Sequence, residues 1–175
     1  LADRPLPYRV YLANWNGDGA TNVNYNYSGQ TGGGSIYRQD GSNTILFERA
    51  LPEIDPYDCS AGGVLAVGGP WLDQDVRGTY RGETYLRALE ADIFTNINLA
   101  CFFESSGSPS LAAEELFTHE LGHTLGLGHS CGDRSSGGCN TADKNDAVMR
   151  AFIHDNGRGG RLGSDDRAGL AVLYT

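Results

Sequence analysis

The segment His119-Glu120-Leu121-Gly122-His123-Thr124-Leu125-Gly126-Leu127-Gly128-His129 restricts this 175-residue chain more than any other stretch. On a helix of 3.6 residues per turn, His119 and His123 stand one turn apart and about 40° apart around the axis. Two imidazoles so placed can reach one ion. Glu120 lies about 60° from His123 on the same side, near enough to touch a water on that ion without binding the metal. Gly126 can take a backbone conformation other residues resist, so the helix can end there and the chain can swing His129 into the third position. The fold must therefore supply a helix that stops at a glycine and a turn that doubles back.

The flanking sequence fits that demand. Ser108 to Leu127 has helical spacing, with Pro109 suited to the first turn, Glu114 and Glu115 placed toward the positive end of the dipole, and Leu111, Phe117, Leu121 and Leu125 as an apolar face. Asp165 to Tyr174 reads as a further helix, with Ser164 as N-cap. The first half reads as sheet: Asn22 to Ser28 alternates Val23, Tyr25 and Tyr27 with asparagines, Thr44 to Glu48 follows the turn pair Asp40-Gly41, Gly63 to Gly68 is a short apolar run, and a fourth strand centres on Ala91 to Phe94. Residues 1–16 read as a strand over Tyr8 to Leu12 or as a short helix ending at Trp15. The expected class is α+β.

Length and composition set bounds. The chain fits one domain over residues 1–175, with no repeat or linker to divide it. Its 13 basic and 22 acidic residues give a net charge of −9, which argues against nucleic acid and anionic membranes as partners. No apolar run approaches the roughly 20 residues needed to cross a bilayer. The chain opens at Leu1 without a signal-like segment, so a processed, mature, monomeric domain is expected. Cys59, Cys101, Cys131 and Cys139 allow three disulfide connectivities; a Cys131–Cys139 link would close a short surface loop. Two disulfides imply an oxidising, extracellular setting, with free thiols or a thiolate metal site as the competing accounts.

Three neutral imidazoles and a water make the open coordination of catalytic zinc. A lone H-E-x-x-H arises by accident; with Gly126 and His129 five positions are fixed. This pattern resembles the signature of the metzincin metallopeptidases, and most resembles their matrixin branch. Ser130 follows the third histidine as in matrixins, and Met149, the chain's one methionine, stands where the family has its Met-turn beneath the zinc. Gly62-Gly63-Val64-Leu65-Ala66 is similar to the family's substrate-holding edge strand, and the stretch from Leu162 to Tyr174 to its last helix.

The resemblance implies a zincin-like catalytic domain: a twisted mixed sheet, an active-site helix and a C-terminal helix, with an upper part over about 1–129 and a lower part over about 130–175. It implies one catalytic zinc on His119, His123 and His129, and peptide-bond hydrolysis with Glu120 as general base and then general acid. It implies a protein or peptide substrate extended along Val64, Leu65 and Ala66, with Ala151, Phe152 and Ile153 shaping the S1′ pocket. It also implies the pairing Cys59–Cys101, because the edge strand runs antiparallel to the strand ahead of the active-site helix and those cysteines flank the two. Asp165 and Asp166 read as anions at a helix N-terminus, and acids equivalent to them also tether the Met-turn and the mature N-terminus in the family. The chain departs from the family in having only His154 left over, too few for a second histidine-rich zinc site, and in lacking a Tyr two residues after Met149.

Calcium enters as a second cofactor reading at Asn14 to Gly19, and at Asp73 and Asp75, with turn chemistry as the blander account of both. Two other functional classes compete: a non-catalytic binding module that keeps the fold, and a zinc hydrolase of non-peptide amides.

Overall fold

Tyr11 and Trp15, four residues apart, are both buried, and this spacing resolves the N-terminal ambiguity in favour of a helix, α1, Tyr8–Asn16. The computed structural model describes residues 8–19, 21–31 and 38–174; the start of the chain at Leu1 lies outside them. Helix α1 packs on the helix that bears His119 and His123, with Trp15 Nε1 donating to the Thr118 carbonyl at 2.8 Å and Asn14 Nδ2 to Thr118 Oγ1 at 3.0 Å.

Strands β1 (Ile45–Arg49), β2 (Ala66–Tyr80) and β3 (Glu83–Asn96) form one mixed sheet in the order β1-β3-β2. β1 runs parallel to β3, and β2 pairs antiparallel with β3 from Ala66↔Thr95 to Tyr80↔Glu83. The remaining helices are α2 (Leu99–Ser105), α3 (Pro109–Thr124), α4 (Ala142–Asp146) and α5 (Ser164–Tyr174). Among the described residues the chain is thus α+β, with a three-stranded mixed sheet and five helices.

Four expectations are corrected. Asn22 to Ser28 is not a strand. Val23 and Tyr25 do face inward while Asn22, Asn24 and Asn26 face out, but the main chain of Tyr25 pairs with a side chain, accepting from Asn16 Nδ2 at 2.7 Å and donating to Asn16 Oδ1 at 2.6 Å. The run expected as a strand from Gly63 starts instead at Ala66, because Gly62 and Gly63 have φ of 86° and 146°. It then continues through Gly69-Pro70, since a proline is tolerated on a sheet edge. Ser164 is the first residue of α5 and gives its hydroxyl to Asp143, so it is not the cap. Glu114 and Glu115 lie beyond the first turn of α3 and have structural partners in place of a dipole role.

Helix α3 sits between two parts of the core. Phe117 and Leu121 join Tyr11, Trp15, Ile93, Val148, Met149, Leu162 and Leu170. Ala112 and Leu116 join Ala66, Leu99 and Phe102. The cysteines pair as Cys59–Cys101 and Cys131–Cys139, with Cα atoms 5.9 and 5.0 Å apart. Among the described residues no helix is long and apolar enough to cross a membrane.

Candidate metal centre

Helix α3 carries His119 and His123 one turn apart and loses its regular pattern at Leu125. Gly126, at φ 88°, turns the chain back, and the Leu127 N–H caps the Gly122 carbonyl at 3.1 Å. The three imidazoles then meet. His123 Nε2 lies 3.0 Å from His119 Nε2 and 3.2 Å from His129 Nε2, and one nitrogen of each ring falls within 4.8 Å of the others.

Hydrogen bonds on the far side of each ring fix its tautomer. His119 Nδ1 faces the Val148 carbonyl at 2.8 Å, His123 Nδ1 the Leu127 carbonyl at 2.8 Å, and His129 Nδ1 the Asp133 carboxylate. Carbonyl and carboxylate oxygens have no hydrogen to give, so each Nδ1 donates, and each ring in its neutral form turns its Nε2 lone pair inward. Burial, with His123 adding to it, pushes the pKa of His119 down to about 3, and burial also lowers that of His123. Inward lone pairs at such distances repel unless a cation lies between them. Tetrahedral bonds of 2.0–2.1 Å to zinc would set the nitrogens roughly 3.4 Å apart, close to the spacing found. His119, His123 and His129 could therefore hold a metal ion.

Glu120 points to the same conclusion. It is buried, and burial raises its carboxyl pKa to about 8 against the opposing effect of a hydrogen bond from the Gly68 N–H. Among the described residues its Oε2 finds no hydrogen-bond partner. A buried polar atom of that kind normally has a partner, and on the residue that follows His119 a coordinated water would suit it. Gly68 comes so close that a Cβ there would stand 2.7 Å from the Glu120 carbonyl oxygen.

Met149 is buried beneath the ligand helix, and a Cβ on Gly122 would be 2.2 Å from its Sδ. Asp166 holds the turn around it, accepting from the N–H of Val148 at 2.8 Å and of Met149 at 3.0 Å. Burial raises the pKa of Asp166 while those hydrogen bonds lower it, the burial being the larger effect. The stretch after Met149 is tied to α3 by Glu115, which accepts from the N–H of His154 at 2.8 Å and of Asp155 at 3.2 Å and faces His154 Nδ1 at 2.6 Å. With Nε2 bonded to the Asn145 carbonyl at 2.7 Å, His154 is fully engaged away from the cluster.

The other expected site residues are spread around this centre. Val64 is exposed and its carbonyl accepts from Asn96 Nδ2; Leu65 is half-buried; Ala66 is buried where β2 begins. Ala151 donates to the Cys131 carbonyl at 2.9 Å, Phe152 stands 62% exposed, and Ile153 packs against the Ala66–Leu116 cluster. At Asn14 to Gly19, where calcium is one reading, Asn14 and Asn16 lie on α1 and donate their amide N–H groups to Glu114, Thr118 and Tyr25. Asp73 accepts from the Asp75 N–H at 3.0 Å, which is turn chemistry inside a β2 irregularity. A cleft of about 1100 Å³ opens elsewhere, between residues 24–31, β1 and the end of α3, and none of the three histidines or Glu120 lines it.

Sequence reasoning missed Asp133 and Gly68. An Asp four residues beyond the third histidine was a readable signal for the first. Nothing in the sequence signalled that Gly68 lies against Glu120. Comparisons of the chain with protein-family models, curated proteins and solved structures find no match.

Proposed function

We propose that the chain is a secreted zinc-dependent endopeptidase of the metzincin kind, most like the matrixin branch. One observation carries the reading: one nitrogen from each of His119, His123 and His129 falls within 4.8 Å of the others, and Glu120, the residue after His119, has a buried carboxylate oxygen with no partner among the described residues. Three imidazoles suit zinc among several metals, and a fourth, open position suits catalysis. When bound, zinc supplies Lewis acidity, polarising a substrate carbonyl and lowering the pKa of coordinated water to roughly 7.

The chain's own groups supply the rest. Glu120 takes a proton from the attacking water and returns it to the leaving amine. Gly68 lies against Glu120, and the carboxylate Oε2 has no partner among the described residues. β2 lies at an edge of the sheet, and a peptide lying along it near Val64, Leu65 and Ala66 would gain main-chain hydrogen bonds. Ala151, Phe152 and Ile153 follow the Met149 turn and would bound the side-chain pocket beyond the scissile bond. Two disulfides fit an oxidising, extracellular setting.

The test is Glu120→Ala, assayed on casein and on quenched peptides, with bound metal measured in parallel. Peptide hydrolysis should fall about a thousandfold or more while zinc stays near one per chain. Undiminished cleavage by this variant removes Glu120 from its role.

A further inference from the structure

We infer that Asp133 is a positioning residue for His129, held in place by the disulfide-closed ring from Cys131 to Cys139, and that it sets how tightly the centre grips its ion. The inference rests on the zinc reading above and adds a residue to it.

The three ligands are not supported alike. His119 and His123 stand on a helix, and their Nδ1 atoms meet main-chain carbonyls. His129 follows the Gly126 turn on irregular chain, where no helix fixes its direction. It is the ligand most in need of an outside guide, and it alone of the three has a carboxylate as partner.

That carboxylate is itself held firmly. Asp133 Oδ1 accepts from the Ser135 N–H and hydroxyl at 2.8 and 2.9 Å, and from the Ser136 N–H and hydroxyl at 2.7 Å each. Four donors on one oxygen fix the carboxylate plane and leave Oδ2 for His129 Nδ1. The ring closes through Cys131–Cys139, with Gly132 N–H on the Gly137 carbonyl at 2.7 Å and Gly137 N–H on the Asp133 carbonyl at 2.9 Å. Its base is anchored beside Met149, where the Ser130 N–H reaches the Met149 carbonyl and the Ala151 N–H the Cys131 carbonyl, each at 2.9 Å. A turn made only to reverse the chain would leave Oδ2 to solvent; here it is spent on a ligand. An anion on Nδ1–H pushes electron density toward Nε2 and holds the ring in its ligating orientation, and losing such a partner typically costs 10–100-fold in metal affinity.

The experiment measures Zn²⁺ affinity of the full chain by competition with a chromophoric chelator, and the visible absorption of the Co²⁺-loaded protein. Asp133→Asn keeps an oxygen acceptor but removes the charge. It should weaken Zn²⁺ binding about 10–100-fold and shift the Co²⁺ bands, a change that a purely architectural turn would not cause. The double change S135A/S136A, at an exposed and a half-buried position, should give a smaller loss in the native background and no further loss on top of D133N. Native-like Zn²⁺ affinity and Co²⁺ bands in D133N, or losses that add in full, overturn the inference. If D133N does not fold, S135A/S136A decides alone, and unchanged affinity there overturns it too. Failure of the zinc reading looks different: the native chain itself takes up no Zn²⁺, and both conclusions go.

Discussion

His119 and Glu120 are neighbours whose burial drives their titrations in opposite directions, and the metal-free protein should register both. Below pH 6.5 the unfolded chain takes up a proton that buried His119 refuses until about 3, so stability falls as pH drops through that window. Between 4.5 and 8 the folded chain keeps a proton on Glu120 that the unfolded chain has lost, so stability falls as pH rises through that window. From 4.5 to 6.5 the two slopes oppose one another. From 6.5 to 8 the loss due to Glu120 stands alone of the two. Melting temperatures of the metal-free protein should therefore decline over that upper range, and Glu120→Gln should flatten the decline. Equal slopes in both proteins would mean that burial does not govern this carboxyl. Asp166, also raised by burial, is common to both and cancels in the comparison. At this scale the ligands were legible, because helix geometry alone relates His119, Glu120 and His123. Asp133 was signalled only by its spacing from His129, and Gly68 not at all, because it acts through a contact that exists only once the sheet edge has folded against α3.

Among the elements, α3 does the most positioning, and its glycines mark where sequence preference and packing disagree. Gly122 lies inside a helix, where alanine is ordinarily favoured by about 1 kcal/mol. An alanine there would set its Cβ 2.2 Å from Met149 Sδ and 2.8 Å from Trp15 Cζ2, both on buried side chains. Overpacking of that kind costs about 1–3 kcal/mol, so Gly122→Ala should be destabilised despite its better helix propensity, as a lower urea midpoint with an unchanged slope. A variant as stable as the parent would show that Met149 is not seated against the helix. Helices α3 and α5 and strand β1 could be read from spacing and apolar pattern. The reach of β2 could not, since Gly-Pro normally ends a strand and only its edge position permits continuation. The 22–28 segment misled for a related reason: its alternating burial is real, but the partner of its main chain is the Asn16 amide and not another strand.

Across the whole molecule, one covalent link and one cluster join distant parts of the chain. Cys59–Cys101 spans 42 residues, a loop whose closure removes about 4 kcal/mol of unfolded-chain entropy in the chain-entropy model. The even cysteine count was readable; the pairing came through resemblance, and the fold agrees with it. The outer hydrogen bonds of the three imidazoles end on separate segments: the chain at Val148, the turn at Leu127 and the ring at Asp133. Val148 is in turn held by Asp166 of the C-terminal helix. An ion at the convergence would thus act as a common fastener for these stretches, adding to main-chain bonds such as that from the Ser130 N–H to the Met149 carbonyl. Stripping it with a chelator should raise amide deuterium uptake around 119–124, 127–133 and 147–151 together and to similar extents, read by mass spectrometry of peptic fragments. Uptake rising in one stretch alone would mean the three rings are held in place independently of their ion.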